Sequence, residues 1–273
     1  MPGADPISLE PAQPHKFSGF DGVLLLTVPA TLGQHAVAHL KANCLQALAD
    51  ESARVLLLRG SAETFCRGMD LAEISEEAPA EGVPVWERAT NDFTELLTAL
   101  AKARPITVAV VEGPALGGGV GLAAACDYVL ATDAATFALP ELLFGLAPAM
   151  ILPVLAGRLG LHRAKRWAMT QAKWKAIEAN SAGLVDQVVS VERLEVELGR
   201  LLRTLLRSHP RGVSALKHVA RELERVPTHT LADLAHAVES GREVLNALLS
   251  RADVRRELVA FRDYGLLPGE ADA

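Results

Sequence analysis

Two segments of this sequence place glycines where a backbone N–H can be left bare, and each follows a run of apolar residues. The first is Thr64 to Ile74 (TFCRGMDLAEI), where Gly68 permits a backbone conformation closed to other residues, so that the next N–H can point into a cleft. The second is Glu112 to Asp127 (EGPALGGGVGLAAACD), where Gly117, Gly118 and Gly119 mark the passage from a strand into a helix of small residues. Unbonded N–H groups at a helix start, backed by the helix dipole, stabilise negative charge. Without side chains at these glycines, a ligand can approach the backbone closely.

Other readings of the same residues exist. A triple glycine also serves as a plain tight turn between strand and helix. A dinucleotide loop fits poorly, because GPALGGGVG misses the GxGxxG register and Asp133 comes too early to meet a ribose. No Gly-Lys-Ser/Thr follows, which excludes a P-loop. A lone carboxylate, Glu141, stands in an apolar stretch with Leu139, Leu142, Leu143 and Phe144. Desolvation there would raise its pKa and suit it to proton transfer near neutral pH, although a Glu after Pro140 also suits a helix start. His35 and His39 share a helix face but have no evident third ligand, so no metal site is expected. Cys66 has no His or Asn partner that the sequence can supply, and Asp70 is expected to order its own turn by an Asx-type bond.

The elements that would position these groups follow from apolar periodicity. Gly22 to Pro29, Arg54 to Arg59, Ile106 to Val111 and Tyr128 to Ala131 read as strands, the second and third buried on both faces as a parallel sheet requires. Helices are predicted at 34–50 and through Trp86, Phe93, Leu97 and Leu100, with residues 75–83 as a mobile loop. Strands alternating with helices predict βαβ units. Beyond Ala147 the chain reads as helical at 149–158, 161–169, 191–208, 211–225 and 230–262, interrupted by Gly183 to Val189. The apolar stripes of the tail (Leu231, Leu234, Val238; Val244, Leu245, Leu248) must pack on the core or on a neighbouring subunit. The division expected is a loose arm over 1–16, which holds four prolines, a core over 17–190 and a helical region over 191–273.

With half its residues apolar and 4% aromatic, the chain must build its core from Ala, Val and Leu. A formal charge of −6 argues against a general nucleic-acid binder, and no apolar run is long enough for a membrane span. Three cysteines without metal spacing and an N-terminus without a signal pattern lead to the expectation of a soluble cytoplasmic α/β protein.

FCRGMDL resembles the F-C-x-G-x-D-L motif of the enoyl-CoA hydratase/isomerase (crotonase) superfamily, and GPALGGGVGLAAACD resembles its G-x-A-x-G-G-G motif. The resemblance runs from about Leu24 to Val189. It implies the crotonase fold, a ββα-repeat spiral core followed by a helical trimerisation region, hence a homotrimer or a dimer of trimers. It implies that the N–H groups of Met69 and Gly118 form an oxyanion hole for a thioester that becomes an enolate, with Asp70, Leu71 and Gly117 in the same binding segments. It also maps the two glutamates of hydratases onto Gly121, where the carboxylate is missing, and Glu141, where it is present. The substrate would be carried as a phosphopantetheine or coenzyme A thioester, with no separate cofactor.

One glutamate is compatible with enoyl isomerases. PELLFGLAPAMILPVLAGRLG also resembles the corresponding run of dehydratases of polyketide β-branching, with departures at Met69, Val154 and Gly157. That resemblance implies dehydration of a 3-hydroxy-3-methylglutaryl group on an acyl carrier protein to the 3-methylglutaconyl product. A hydratase or isomerase of acyl-CoA metabolism and a non-catalytic acyl-binding scaffold are the alternatives. The pocket around Gly121 is expected to hold substrate bulk. An acid-free stretch from Leu146 to Ile177 carries Arg158, Arg163, Lys165, Arg166, Lys173 and Lys175, a basic surface suited to an acidic carrier protein or to coenzyme A phosphates.

Overall fold

The computed structural model describes residues 14–76, 84–208, 210–223, 239, 242–243, 245–247 and 249–265. Six strands form the main sheet: β1 (His15–Lys16), β2 (Val23–Thr27), β3 (Val55–Arg59), β4 (Ile106–Val111), β6 (Tyr128–Thr132) and β9 (Gln187–Val189), side by side in that order. From β2 to β9 neighbours run parallel, with Val23 opposite Val55 and Val55 opposite Ile106. β1 joins the edge antiparallel. The end of the expected loose arm is therefore an edge strand, while residues 1–13 lie outside the described residues.

Side chains alternate across a strand, and here both faces are apolar. Val23, Val55, Leu57, Val108 and Val110 meet Leu194, Leu198 and Leu202 of helix α8 (Leu194–Arg207), whose spacing of four aligns them in one stripe. Leu24, Leu26, Leu56, Leu58, Ala109 and Val111 face the larger core. That core includes buried residues of α1 (Gln34–Ala49) and α3 (Val85–Ala101).

The chain does not pass straight from strand to helix. β4 leads into β5 (Ala115–Leu116) and then α4 (Gly118–Ala124). β6 leads into β7 (Thr136–Ala138), a 3-10 turn at Glu141–Phe144 and α5 (Leu152–Leu159). β5 pairs with β7, and β7 with β8 (Trp174–Lys175), in a second, three-stranded sheet. Bridges between Leu32 and Met69 and between Cys66 and Ala115 continue this layer into the earlier turns. Each turn thus adds a long strand, a short one and a helix. This is the ββα spiral of the crotonase fold rather than simple βαβ units.

Several expected boundaries move. Leu71–Glu76 is a helix (α2), so the loop expected at 75–83 begins inside it, and 77–83 lie outside the described residues. The segment at 149–158 becomes helical only from Leu152, and that at 191–208 opens with a 3-10 turn, Val191–Arg193. α6 (Leu161–Thr170), α7 (Ala176–Ala182) and α9 (Pro210–Leu223) complete the middle of the chain. The long helix expected over 230–262 is interrupted at Ser250–Arg251, where the Ser250 hydroxyl donates back to the Ala247 carbonyl (2.8 Å), before α10 (Ala252–Tyr264). Of the tail's stripes, Leu231, Leu234, Val238, Val244 and Leu248 lie outside the described residues. Leu245, Leu249, Val254 and Leu258 are buried in the same core as the sheet, so this part packs on the body of its own chain. No described helix is long and apolar enough to cross a membrane.

Candidate functional site

A cavity of about 130 Å³ opens where the two glycine-bearing segments meet, lined among others by Gly68, Met69, Asp70, Leu71, Gly117, Gly118 and Glu141. Gly68 has φ +79°, a conformation that side chains resist. A Cβ placed on it would lie 2.8 Å from the Leu116 carbonyl oxygen and 3.1 Å from the Gly118 nitrogen. Only glycine lets the Gly68–Met69 peptide lie against the Gly118 amide. The Gly68 carbonyl is held by the Leu32 N–H (2.8 Å), and the Gly117 N–H is taken by the Ala138 carbonyl of β7 (3.0 Å). Gly117 is therefore not an open donor. The N–H groups of Met69 and Gly118 have no acceptor among the described residues, so two bare donors sit side by side on the cavity wall.

Asp70 and Leu71 have different duties. One Asp70 carboxylate oxygen accepts the Ala72 N–H (3.0 Å) and the other the Thr31 hydroxyl (3.2 Å), so Asp70 caps α2 and fixes the turn. Leu71, the first residue of α2, supplies apolar wall. Glu73, also on the wall, accepts the Gln34 N–H at the start of α1 (2.7 Å).

Glu141 opens its 3-10 turn directly after β7, which swings its carboxyl over Gly117: a Cβ there would be 2.9 Å from Oε1. Its Oε2 is buried and has no hydrogen-bond partner among the described residues. Burial pushes the Glu141 pKa up to about 7, because the charged form is poorly solvated among Phe144, Leu146 and Pro148. An acid tuned this way exchanges a proton readily near neutral pH.

At Gly121 the expectation of substrate bulk is overturned. A Cβ there would lie 2.3 Å from Ile151 Cγ2 and 3.8 Å from Phe93 Cζ, so the space is filled by protein. The basic surface shrinks too. The Arg158 guanidinium donates to the Leu184 (2.9 Å) and Cys126 (2.8 Å) carbonyls and pairs with Asp186, while Arg163 donates to the Ala182 carbonyl. Lys165, Arg166, Lys173 and Lys175 are exposed. His35 and His39 are exposed, and no group of residues able to hold a metal occurs among the described residues. Cys66 is buried and its thiol is pushed up to about 12, unsuited to nucleophilic attack. Sequence reasoning missed Ile151, Trp86, Phe93, Thr90 and Leu245 as parts of the wall, since no local pattern distinguishes them from ordinary core.

The profile of the enoyl-CoA hydratase/isomerase family matches residues 28–264. The chain belongs to that family. An enoyl-CoA isomerase/hydratase of Mycosarcoma maydis is 30% identical over 211 residues, 77% of this chain and 73% of that one. The bacillaene synthase dehydratase PksH of Bacillus subtilis is 30% identical over 185 residues, 67% and 70% of the two chains. In structure, Bacillus subtilis PksH superposes with a TM-score of 0.79 at 24% identity over 94% of this chain and 99% of that one. An enoyl-CoA hydratase of Bacillus halodurans does so with 0.81 at 17% identity over 91% and 100%. At such identities these two structures speak for the fold. This member of the family is an enoyl-CoA hydratase-like enzyme whose cavity holds two amides without an acceptor and a carboxyl oxygen, Glu141 Oε2, without a donor among the described residues.

Proposed function

We propose that this protein dehydrates a carrier-bound 3-hydroxy-3-methylglutaryl thioester in polyketide β-branching, giving the 3-methylglutaconyl thioester. The thioester oxygen accepts the N–H groups of Met69 and Gly118. Glu141 removes a proton from C2, the resulting enolate is held by the two amides, and the C3 oxygen departs as water. The observation that carries the reading is the buried Oε2 of Glu141, without a partner among the described residues, in the cavity whose wall also carries those amides. The likeness of residues 140–160 to the β-branching dehydratases and the relationship to PksH support the substrate class. The unpartnered Oε2 speaks against a non-catalytic scaffold, because an idle buried carboxyl costs stability without return.

The exposed Lys165, Arg166, Lys173 and Lys175 are the part of the basic stretch free to meet an acidic acyl carrier protein. Large exposed apolar side chains (Leu161, Met169, Ile177, Leu216) support assembly as a homotrimer or a dimer of trimers, measurable by light scattering. The deciding experiment offers the methylglutaryl group on a holo acyl carrier protein and on coenzyme A, and follows loss of one water by mass spectrometry. Migration of a double bond in a 3-enoyl-CoA with no dehydration would replace this reading by an isomerase.

A further inference from the structure

Gly121 lies on α4 three residues after Gly118 and four after the N-cap Gly117, so both border the face that Gly121 occupies. Along that face a Cβ at 117 would meet Glu141, one at 118 would meet Leu32 (2.8 Å) and Phe93 (3.4 Å), and one at 121 would meet Ile151. Ile151 is 3% exposed and sits immediately before α5. Among the described residues lining the cavity there is no His, Tyr, Lys, Ser or Cys. Asp70 and Glu73 are committed to the backbone bonds described above, and the Thr90 hydroxyl lies between the Glu87 carbonyl and Asn246 (3.0 Å each). Arg67 is exposed and cannot release a proton at working pH.

We infer that Ile151, seated across Gly121 with Phe93 beside it, is a specificity-determining residue that shuts a second proton-transfer group out of this cavity. Glu141 then performs both transfers. Resting on the reaction proposed above, the step balances as follows. The C2–H bond breaks and its proton passes to the Glu141 carboxylate, leaving the electron pair in the enolate. The enolate pair forms the C2–C3 double bond as the C3–O bond breaks. The Glu141 carboxylic acid returns its proton to the departing oxygen, releasing water and restoring the carboxylate. Proton and hydroxyl leave from the same face of the substrate.

The test is a set of variants read in two ways. Without substrate, Gly121→Ala should lower Tm by several degrees in the natural background, because the new methyl presses on Ile151, and should be near neutral with Ile151→Ala. With substrate, kcat/KM of the natural protein should follow one ionisation. Gly121→Glu combined with Ile151→Ala should acquire a second ionisation and raise hydration of crotonyl-CoA at least about tenfold over Ile151→Ala alone. Gly121→Glu with Ile151 intact should not. Equal Tm losses in both backgrounds, a second ionisation in the natural protein, or hydration gained by Gly121→Glu alone would each overturn the assignment. So would a folded double variant that gains nothing. The stability arm needs no substrate, so failure of the proposed reaction and failure of the Ile151 assignment are seen separately.

Discussion

Gly68→Ala tests whether the bare amides are catalytic, and its control is built into the same chain. Gly68 and Gly160 both have φ +79°, but a Cβ at Gly160 meets nothing within 4 Å. Alanine at either site strains the backbone by about 1–3 kcal/mol, the cost of a side chain at a φ that favours glycine. At about 2–4 °C per kcal/mol for a chain of this size, each variant should lose roughly 2–12 °C of Tm. Only at Gly68 does the methyl also press on the Leu116 carbonyl, at 2.8 Å, and on the Gly118 nitrogen, at 3.1 Å. Relief there must separate the two amides or cover one of them. Loss of one oxyanion donor costs about 2.7–4 kcal/mol, or 10²–10³ in kcat. Steady-state dehydration kinetics on both purified variants, with thermal melts alongside, give the comparison. Gly160→Ala should melt lower and turn over normally, whereas Gly68→Ala should melt lower and lose kcat with KM little changed. Equal kcat in the two variants would show that the amides at 69 and 118 do not hold the reacting oxygen.

Glu141→Gln should lower kcat by about 10²–10⁴ with little change in KM, measured by the same assay. The Glu141 base works unprotonated, so kcat/KM should rise with pH through about 7, and a flat profile would contradict its burial. Because its folded pKa lies above the unfolded value of 4.5, its stabilising contribution is present below pH 4.5 and lost as pH rises through 7; the loss is at most about 3 kcal/mol. Glu141→Gln should therefore melt higher than the natural protein at pH 8, with the gap closing toward pH 5. Lys165→Glu with Arg166→Glu should reduce kcat/KM for the carrier-borne substrate only, and the difference should fade at high salt.

The long apolar runs of β2, β3 and β4 were legible because a strand buried on both faces needs nothing but its own residues to declare it. Gly68, Gly118 and Glu141 were legible for a related reason, since each sits in a local motif that carries its own geometry. β5, β7 and β8 were not, being two or three residues long and held by partners far along the chain. Asp70 showed its turn-ordering role in sequence, yet α2, the helix that it proves to cap, was hidden behind the acidic residues that follow. Arg158 read as surface charge, because nothing local says that the Cys126 and Leu184 carbonyls will converge on it. Ile151 was missed in the same way: that it fills the space at position 121 is settled only when α4 and α5 pack together.

Leu245 lines the cavity opposite residues as early as Leu32, and Asn246 bonds the Thr90 hydroxyl across 156 positions of sequence. At about 5–20 residues per second of synthesis, the last wall arrives roughly 10–40 s after the first. Until then the nascent chain carries an apolar trough with one side missing, the kind of surface that other unfinished chains adhere to. Its completion closes a long loop, whose entropic cost falls late in folding. A chain stopped short of residue 245 would keep the amides of 69 and 118 and the carboxyl of Glu141, yet leave them open to water. Such a fragment should be a client of chaperones before it is an enzyme.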